Sequence, residues 1–526
     1  PNGNNVDIEF TPEDNFVGTA SGITIRRTDD NGYTTDWVSK DKTLLPSINE
    51  VMDSMDGLYI PTVTPKNIEG IDKTSTDVQG ATQTGTPEFE LEGTNSNGEK
   101  VKVTPDLDYP AKLVDPATGQ VTDEATVTVA GEGTYTIDQA TGKVTFKPEP
   151  GFTGTANGVT VSVTAPVGRD KDGQVPADAL KTATAKYTPT VTPITLTPTD
   201  KVSEDVQNVP QTQTPTFELS NDKTAEITSK KLVDPATGQP TDATTVTVAG
   251  EGSYTIDPTT GAVTFVPEEN FIGTAKGITV QATATIKNED GKTTTITADA
   301  TYTPTVVPAV PTAQPAKSID VQGATQKGKP TFEGTTVTVN GQQKPVTIKE
   351  NSYKLLDKDG NEVTSTPAYA EDGTTVIGTH TIDPTTGEVT FTPTDKSYSG
   401  KVTPVSVQAE SSNGIKVSTT YTPEIVPVTP TAQDAATKDV QGKTQTGKPT
   451  FEGGKATVDG VEKTVEIDED TPATFEDGSK TKTIPGEGTY TVAPDGTVTF
   501  VPEKSFTGKG TGVTVKRVDK NGTEVT

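Results

Sequence analysis

Cysteine is absent from the 526 residues, and there is a single histidine, His380. Without Cys there are no disulfides, no thiol chemistry and no Cys-bearing zinc site. One His leaves no repeated His-based catalytic or metal centre. Basic residues are also scarce. Lys and Arg number 44 against 73 Asp and Glu, a net charge of −29. Only Arg26, Arg27, Arg169 and Arg517 are Arg. A nucleic-acid surface needs clustered cations to displace counterions from phosphates, so that class is excluded. Docking on an anionic bilayer is excluded for the same reason. No apolar run reaches the 18 residues that a membrane-spanning helix needs.

Large apolar side chains are few as well. Val, Ile, Leu and Phe make up 104 of the 526 residues, which, with so much charge, borders on the composition of disordered chains. The kind of apolar residue argues for folding. Val and Ile outnumber Leu 78 to 12, and about one residue in five is Thr. β-branched side chains suit a pleated strand better than a helix. They also alternate: Tyr135 with Ile137, Val144 with Phe146, and Val159, Val161, Val163. Period two means strands with one buried and one wet face, and Thr on the wet face keeps strand propensity there.

Length alone suggests three to five domains, and internal repetition sets the arrangement. Tyr-x-Pro recurs at Tyr59, Tyr187, Tyr302 and Tyr421, and Asp-Val-Gln at Asp77, Asp205, Asp320 and Asp439. Each Tyr lies 18 residues before its Asp, whereas successive Tyr are 128, 115 and 119 residues apart. The constant interval reads as a connection of fixed length. Pro189, Pro193 and Pro198 stiffen one such stretch, which predicts a semi-rigid rod of beads.

A third signature, Gly131 to Pro148, contains a hairpin turn from Asp138 to Gly142. There Asp bonds its own backbone and Gly supplies positive φ. Aromatic pairs follow in each copy: Phe10/Phe16, Phe146/Phe152, Phe265/Phe271, Phe391/Tyr398 and Phe500/Phe506, read as core anchors. Six or seven short strands per unit, with no helical period, predict an all-β tandem array of small immunoglobulin-like β-sandwich domains forming an elongated rod. The expected units are 64–192, 193–307 and 308–427. Residues 1–63 are expected to be the second half of a unit with an irregular insertion at 37–60, and 428–526 a unit cut before its last strand. The first residue is Pro1, and the chain reads as an excerpt from a longer array.

The signatures Asp77 to Pro87, Gly131 to Pro148 and Tyr187-Thr-Pro189 resemble the CshA-type fibril repeat of streptococcal and related Gram-positive surface proteins. The resemblance covers essentially the whole chain. It implies extracellular, wall-anchored fibrils in which tandem repeats hold an adhesive region away from the cell, with covalent wall attachment outside this sequence. It carries no catalytic residues. Asn208 departs from the pattern, replacing the Gly that follows Asp-Val-Gln in the other copies.

No catalytic, cofactor or metal residue is assigned, and each candidate has a plainer reading. His380 falls where other units have Tyr135, Tyr254 and Tyr490, a packing or surface position. Glu132, Glu251 and Glu487 in Gly-Glu-Gly, with Glu13, Glu149, Glu268 and Glu503, could pair as glycosidase acids. They read instead as solvated turn acids. Asp170/Asp172, Asp357/Asp359 and Asp519/Asn521 hint at calcium but lack the EF-hand spacing and read as turns. Lys112, Lys231 and Lys354 recur as Lys-Leu-(Val/Leu)-Asp. A Lys–Asn isopeptide staple would need a buried Lys with an Asn and an acid, and a Lys guarding a strand edge is the simpler reading.

The function expected is a non-catalytic stalk of a bacterial surface fibril, with host extracellular-matrix or salivary proteins as partners of the parent protein and no nucleic acid or membrane insertion. The alternative is that the repeats themselves bind a host protein or glycan by avidity, by strand addition for example, with 37–60 the first place to look.

Overall fold

The computed structural model describes residues 7–25 and 57–526. Most of the irregular insertion expected at 37–60 therefore lies outside the described residues. Nearly all regular structure is strand; the one helix among the described residues is a 3-10 turn, Ala177–Ala179.

Four hydrophobic cores follow one another along the chain. Their largest buried members include Tyr187, Tyr302, Tyr421 and Phe475 in turn. The second core shows the pattern. One sheet joins Lys201–Val206, Thr293–Val307, Ile278–Lys287 and Ala225–Asp234. The facing sheet joins Gln211–Gln213, Val263–Pro267, Gly252–Ile256 and Thr245–Val248. This is the immunoglobulin-like sandwich anticipated from the alternation: Ile278–Lys287 buries every second residue over most of its length. In each complete unit the second strand pairs in parallel with the last, Lys201 to Val206 beside Tyr302 to Val307.

The Tyr of Tyr-x-Pro plugs the core. Tyr187, Tyr302 and Tyr421 are fully buried, and each hydroxyl is hydrogen-bonded to a Ser on the parallel strand: Ser75 at 2.7 Å, Ser203 at 2.7 Å and Ser318 at 2.6 Å. The same Ser donates to Gln83, Gln211 or Gln326, whose amide donates to the carbonyl of Thr190, Thr305 or Glu424. Every polar group in this chain of bonds has a partner, which buried groups require. Tyr254 meets Tyr302 edge-on at 6.3 Å and Phe265 at 4.8 Å. Four of the predicted aromatic pairs meet edge-to-face, Phe146 on Phe152 at 6.3 Å among them, whereas Phe391 packs on His380 and the half-buried Tyr398 turns its hydroxyl to the Lys401 carbonyl. Phe10 differs: it is 37% exposed although it meets Phe16 at 6.4 Å. The short strands described around it form no second sheet to cover it.

The turn expected at Asp138 is present. Gly142 N–H donates to the Asp138 carbonyl at 2.8 Å, Ala140 N–H donates to the Asp138 carboxylate, and Gly142 has φ +72°.

The 18-residue interval is not a tether. Only Pro193 to Thr195 separate the strands Leu180–Thr192 and Leu196–Thr199. The rest of the interval runs through the next sandwich to its far end, so its length is set by strand pairing. The accessible surface, 29567 Å² for 54.9 kDa, exceeds the roughly 18,000 Å² of a single globule of that mass and is near the sum for separate small domains.

The second Gly of Gly-Glu-Gly is required for steric reasons. Gly252 has φ +152°, and a Cβ there would lie 2.2 Å from the Val266 carbonyl oxygen. Gly252→Ala is expected to destabilise its unit by about 3 kcal/mol, read as a lower denaturation midpoint for that unit alone. An unchanged midpoint contradicts the packing account.

Candidate functional site: the joint between repeats

In the first three copies the Asp-Val-Gln turn ends the strand that pairs in parallel with the unit's last, and therefore sits at the face turned to the next unit. In each copy the Asp carboxylate accepts from the N–H of the following Val, at 2.7–2.8 Å. In the first three copies its other contact crosses the joint to a Lys: Asp77 to Lys223 at 2.5 Å, Asp205 to Lys344, and Asp320 to Lys463 at 2.6 Å. Burial pushes the Asp77 carboxyl up, but the Lys223 and Val78 hydrogen bonds outweigh it and hold the carboxyl below its ordinary value.

The Gln contributes its backbone and, at the first and third joints, its side chain. Its carbonyl accepts across the joint, from Thr224 at 2.6 Å, from Asn413 at 3.2 Å or from Asn521 at 2.6 Å. Asn413 also donates to the Ala309 carbonyl at 3.1 Å. The Gln79 amide donates to Pro150 within its own unit, and its side-chain oxygen accepts from Ile194 N–H in the connector. Gln322 bonds Ser397 and Val428 in the same way. One side chain thus ties the turn, a loop of its own sandwich and the connector together.

The Val of the motif fills an apolar seam. Val206 packs with Ala309, Val339 and Val346, and Val321 with Val428, Val458 and Val465. At these two joints a hairpin of the following unit supplies both the Lys and the apolar wall: Thr335–Val339 with Gln342–Val346, and Gly454–Val458 with Val461–Val465. The first joint uses Ile194, Ala225 and Ile286 instead. Val440, the fourth copy, has no such cover and is 67% exposed.

Asn413 and Asn521 stand in the tight turn between the last two strands of their units, and Asn288 in the corresponding turn donates to the Pro148 carbonyl of the preceding unit at 3.3 Å. Asp170 and Asp519, raised as calcium candidates, lie in these same turns, and Asp357 in another. Each carboxylate accepts from two backbone N–H groups of its own turn at 2.8–2.9 Å. Among the described residues no three His, Asp or Glu side chains gather as metal ligands.

Two of the three Gly-Glu-Gly acids differ from expectation, while Glu487 stays half-exposed. Glu132 and Glu251 are 5% and 6% exposed, not solvated. Glu132 accepts from Asn157 N–H at 2.8 Å and from the Tyr135 hydroxyl at 3.2 Å; Glu251 accepts from Lys276 N–H at 3.0 Å and from Tyr254. The flanking Gly turn folds the carboxylate inward, where these donors replace its water. Burial, then the Glu charge and hydrogen bond, push the Tyr135 and Tyr254 phenols far up. Glu149 and Glu268 remain exposed.

Lys112 and Lys231 pair with Asp123 and Asp242 at 2.6 and 2.7 Å, with 37% and 44% of each Lys side chain exposed. That is an edge ion pair in water, not a staple's dry Lys–Asn pair. Sequence reasoning missed the joint residues Lys223, Lys344, Lys463 and Asn413. For Asn413 the available signal was Asn-Gly three residues past the end of a strand, repeated at Asn521; the Lys positions carry none.

The molecule is thus a tandem β-sandwich array whose distinctive surfaces are its inter-unit joints. The chain belongs to the family described as the surface adhesin CshA repetitive domain, which matches residues 65–191, 193–306, 308–425 and 427–526. It is therefore a surface-adhesin repeat region. No curated protein matches it. Among solved structures, it is similar to the I9–I11 tandem of titin at 13% identity, covering 68% of this chain and 99% of that one, with a TM-score of 0.27. A tetra-tandem repeat from the extending region of a large adhesion protein aligns at 16% identity, over 88% and 97% of the two chains, with a TM-score of 0.19. Mouse cadherin-23 EC22–24 aligns at 12% identity over 69% and 100%, with a TM-score of 0.20.

Two substitutions separate the parts of one joint. Asn413→Ala leaves two buried carbonyls without a donor and is expected to weaken coupling between the flanking units by about 1–3 kcal/mol. Lys344→Ala removes a half-exposed ion pair and should cost under about 1 kcal/mol. Hydrogen exchange of both units reads the difference, and the reverse ranking contradicts the assignment. The Asp77–Lys223 pair acts above about pH 3.8, the ordinary value of the carboxyl. Because the folded value is lower, that contribution is lost as pH falls below it.

Proposed function

We propose that this chain is a non-catalytic stalk segment of a bacterial surface fibril. It projects an adhesive region away from a cell wall to which the parent protein is covalently attached. One observation carries the reading. At three successive joints the Asp-Val-Gln turn meets the next unit through an Asp–Lys pair and a hydrogen bond to the Gln carbonyl. Bonds repeated at each joint fix the angle between neighbours, which a spacer needs and a string of independent binding modules does not.

The working units are 64–192, 193–307, 308–427 and 428–526, with 1–63 a partial unit. Four beads of this size in line reach on the order of 150 Å. The charge of −29 keeps neighbouring rods apart and soluble. Host matrix or salivary proteins are then partners of the parent protein through regions outside these repeats.

Small-angle scattering of the chain is expected to give a rod with a longest dimension above about 150 Å. Binding to immobilised fibronectin, collagen or salivary glycoproteins should match that of an unrelated acidic protein. A flexible-chain scattering profile, or saturable binding that grows with repeat number, would overturn the stalk reading.

A further inference from the structure

His380 occupies the core of the unit matched at 308–425. It is 1% exposed, and neither ring nitrogen has a hydrogen-bond partner. Its ring lies 5.4 Å from Phe391 and 5.9 Å from Tyr421. Other units place Tyr135, Tyr254 and Tyr490 here. The hydroxyls of Tyr135 and Tyr254 donate to the Glu three residues earlier. In this unit that Glu is replaced by Ile377, itself buried. A titratable ring therefore stands in a tyrosine slot from which the carboxylate has also been removed.

Nothing around it can neutralise a proton. The strand paired on one side presents Thr366 and Ala368, and the other presents Val389 and Phe391. Beyond it, Gln326 already bonds Ser318 and the Glu424 carbonyl. The facing sheet presents Leu355, Val405, Val407 and Tyr421, whose hydroxyl is tied to Ser318. Of the peripheral phenols, Tyr398 donates to the Lys401 carbonyl and Tyr353 packs on Phe332. The acids of the surrounding strands and loops point outward: Glu388, Glu410, Glu362 and Glu371 are half-buried or exposed and paired with Lys327, Lys349, Lys416 and Lys401, and Asp395 and Glu424 are exposed.

We propose that the unit 308–425 is an acid-sensitive link in the array: a proton on His380 destabilises this sandwich selectively, relative to its neighbours. A charged imidazolium has no solvent and no counter-ion in this core, so the proton binds chiefly the unfolded chain. Burial lowers the ring from 6.5 to about 4. The neutral ring's contribution to stability is therefore present above about pH 6.5 and is lost as pH falls toward 4, a change in the unfolding equilibrium of about 30-fold between pH 7.5 and 5.

His380 is the chain's only histidine, so its imidazole resonances in the intact isotope-labelled chain are unambiguous. The ring is expected to remain neutral in the folded chain at pH 5.5. Hydrogen-exchange protection of Val376–Ile382 and Val389–Pro393, corrected for intrinsic rates, should fall about 30-fold more between pH 7.5 and 5 than that of Gly252–Ile256 and Val263–Pro267. His380→Phe should remove the excess. A ring that titrates near 6.5 with the fold intact, or equal protection loss in both units, overturns the proposal. The wild-type comparison decides even where the variant does not fold.

Discussion

The array depends on one buried arrangement: a tyrosine hydroxyl tied to a serine on a strand running parallel to its own. Tyr302 and Ser203 are 99 residues apart in the chain, at opposite ends of one unit. Their bond, with Gln211 behind it, fixes the register of Lys201–Val206 against the last strand. That register decides where Lys201–Val206 ends, hence where Asp205, Val206 and Gln207 emerge. The core and the joint are therefore one system. Moving the Tyr plug by two residues would carry the Asp-Val-Gln turn about 7 Å along the sheet, out of reach of its Lys.

At the joint, small interactions are arranged so that each covers another's weakness. A half-exposed ion pair contributes little alone. Here it borders an apolar seam around Val206 or Val321, and the same turn accepts a bond from the buried Asn413 or the half-buried Asn521. Two designs reach this result. One uses the body of the following sandwich, with Lys223 and Ile286; the other uses an added hairpin, with Lys344 or Lys463. The Asp end is the same in all three, which is why it reads as a signature while the Lys end does not.

Much of the fold was legible because period-two burial leaves a direct trace. Val159, Val161 and Val163 alternate in sequence and are buried in the structure. Asp138 and Gly142 specify their turn by local chemistry. Contacts that depend on distant partners were not legible. Ser203 and Gln211 look like the wet-face polar residues around them until a buried phenol 99 residues away explains them. Glu251 reads as a solvated turn acid because Lys276 N–H and Tyr254, its donors, give no sequence signal. The constant 18-residue interval was real, but its cause was strand pairing inside a sandwich. The joint bond from Asn413 to Gln207 spans 206 residues, beyond any local pattern.

The parallel pairing of the second and last strands has a mechanical consequence. In the unit around Tyr302 the chain enters beside the preceding unit and leaves beside the following one. Tension along the array pulls Lys201–Val206 backward and the end of Thr293–Val307 forward. The two strands are neighbours over six residue pairs, Lys201 with Tyr302 through Val206 with Val307. Opposed forces along parallel neighbours load those rungs in shear, all at once, and rupture requires them to fail together. Antiparallel neighbours pulled from one end would unzip rung by rung. Each of the three complete beads is thus wired so that the strands leading to its two ends meet in a shear clamp, and the Tyr–Ser bond is a bolt through it.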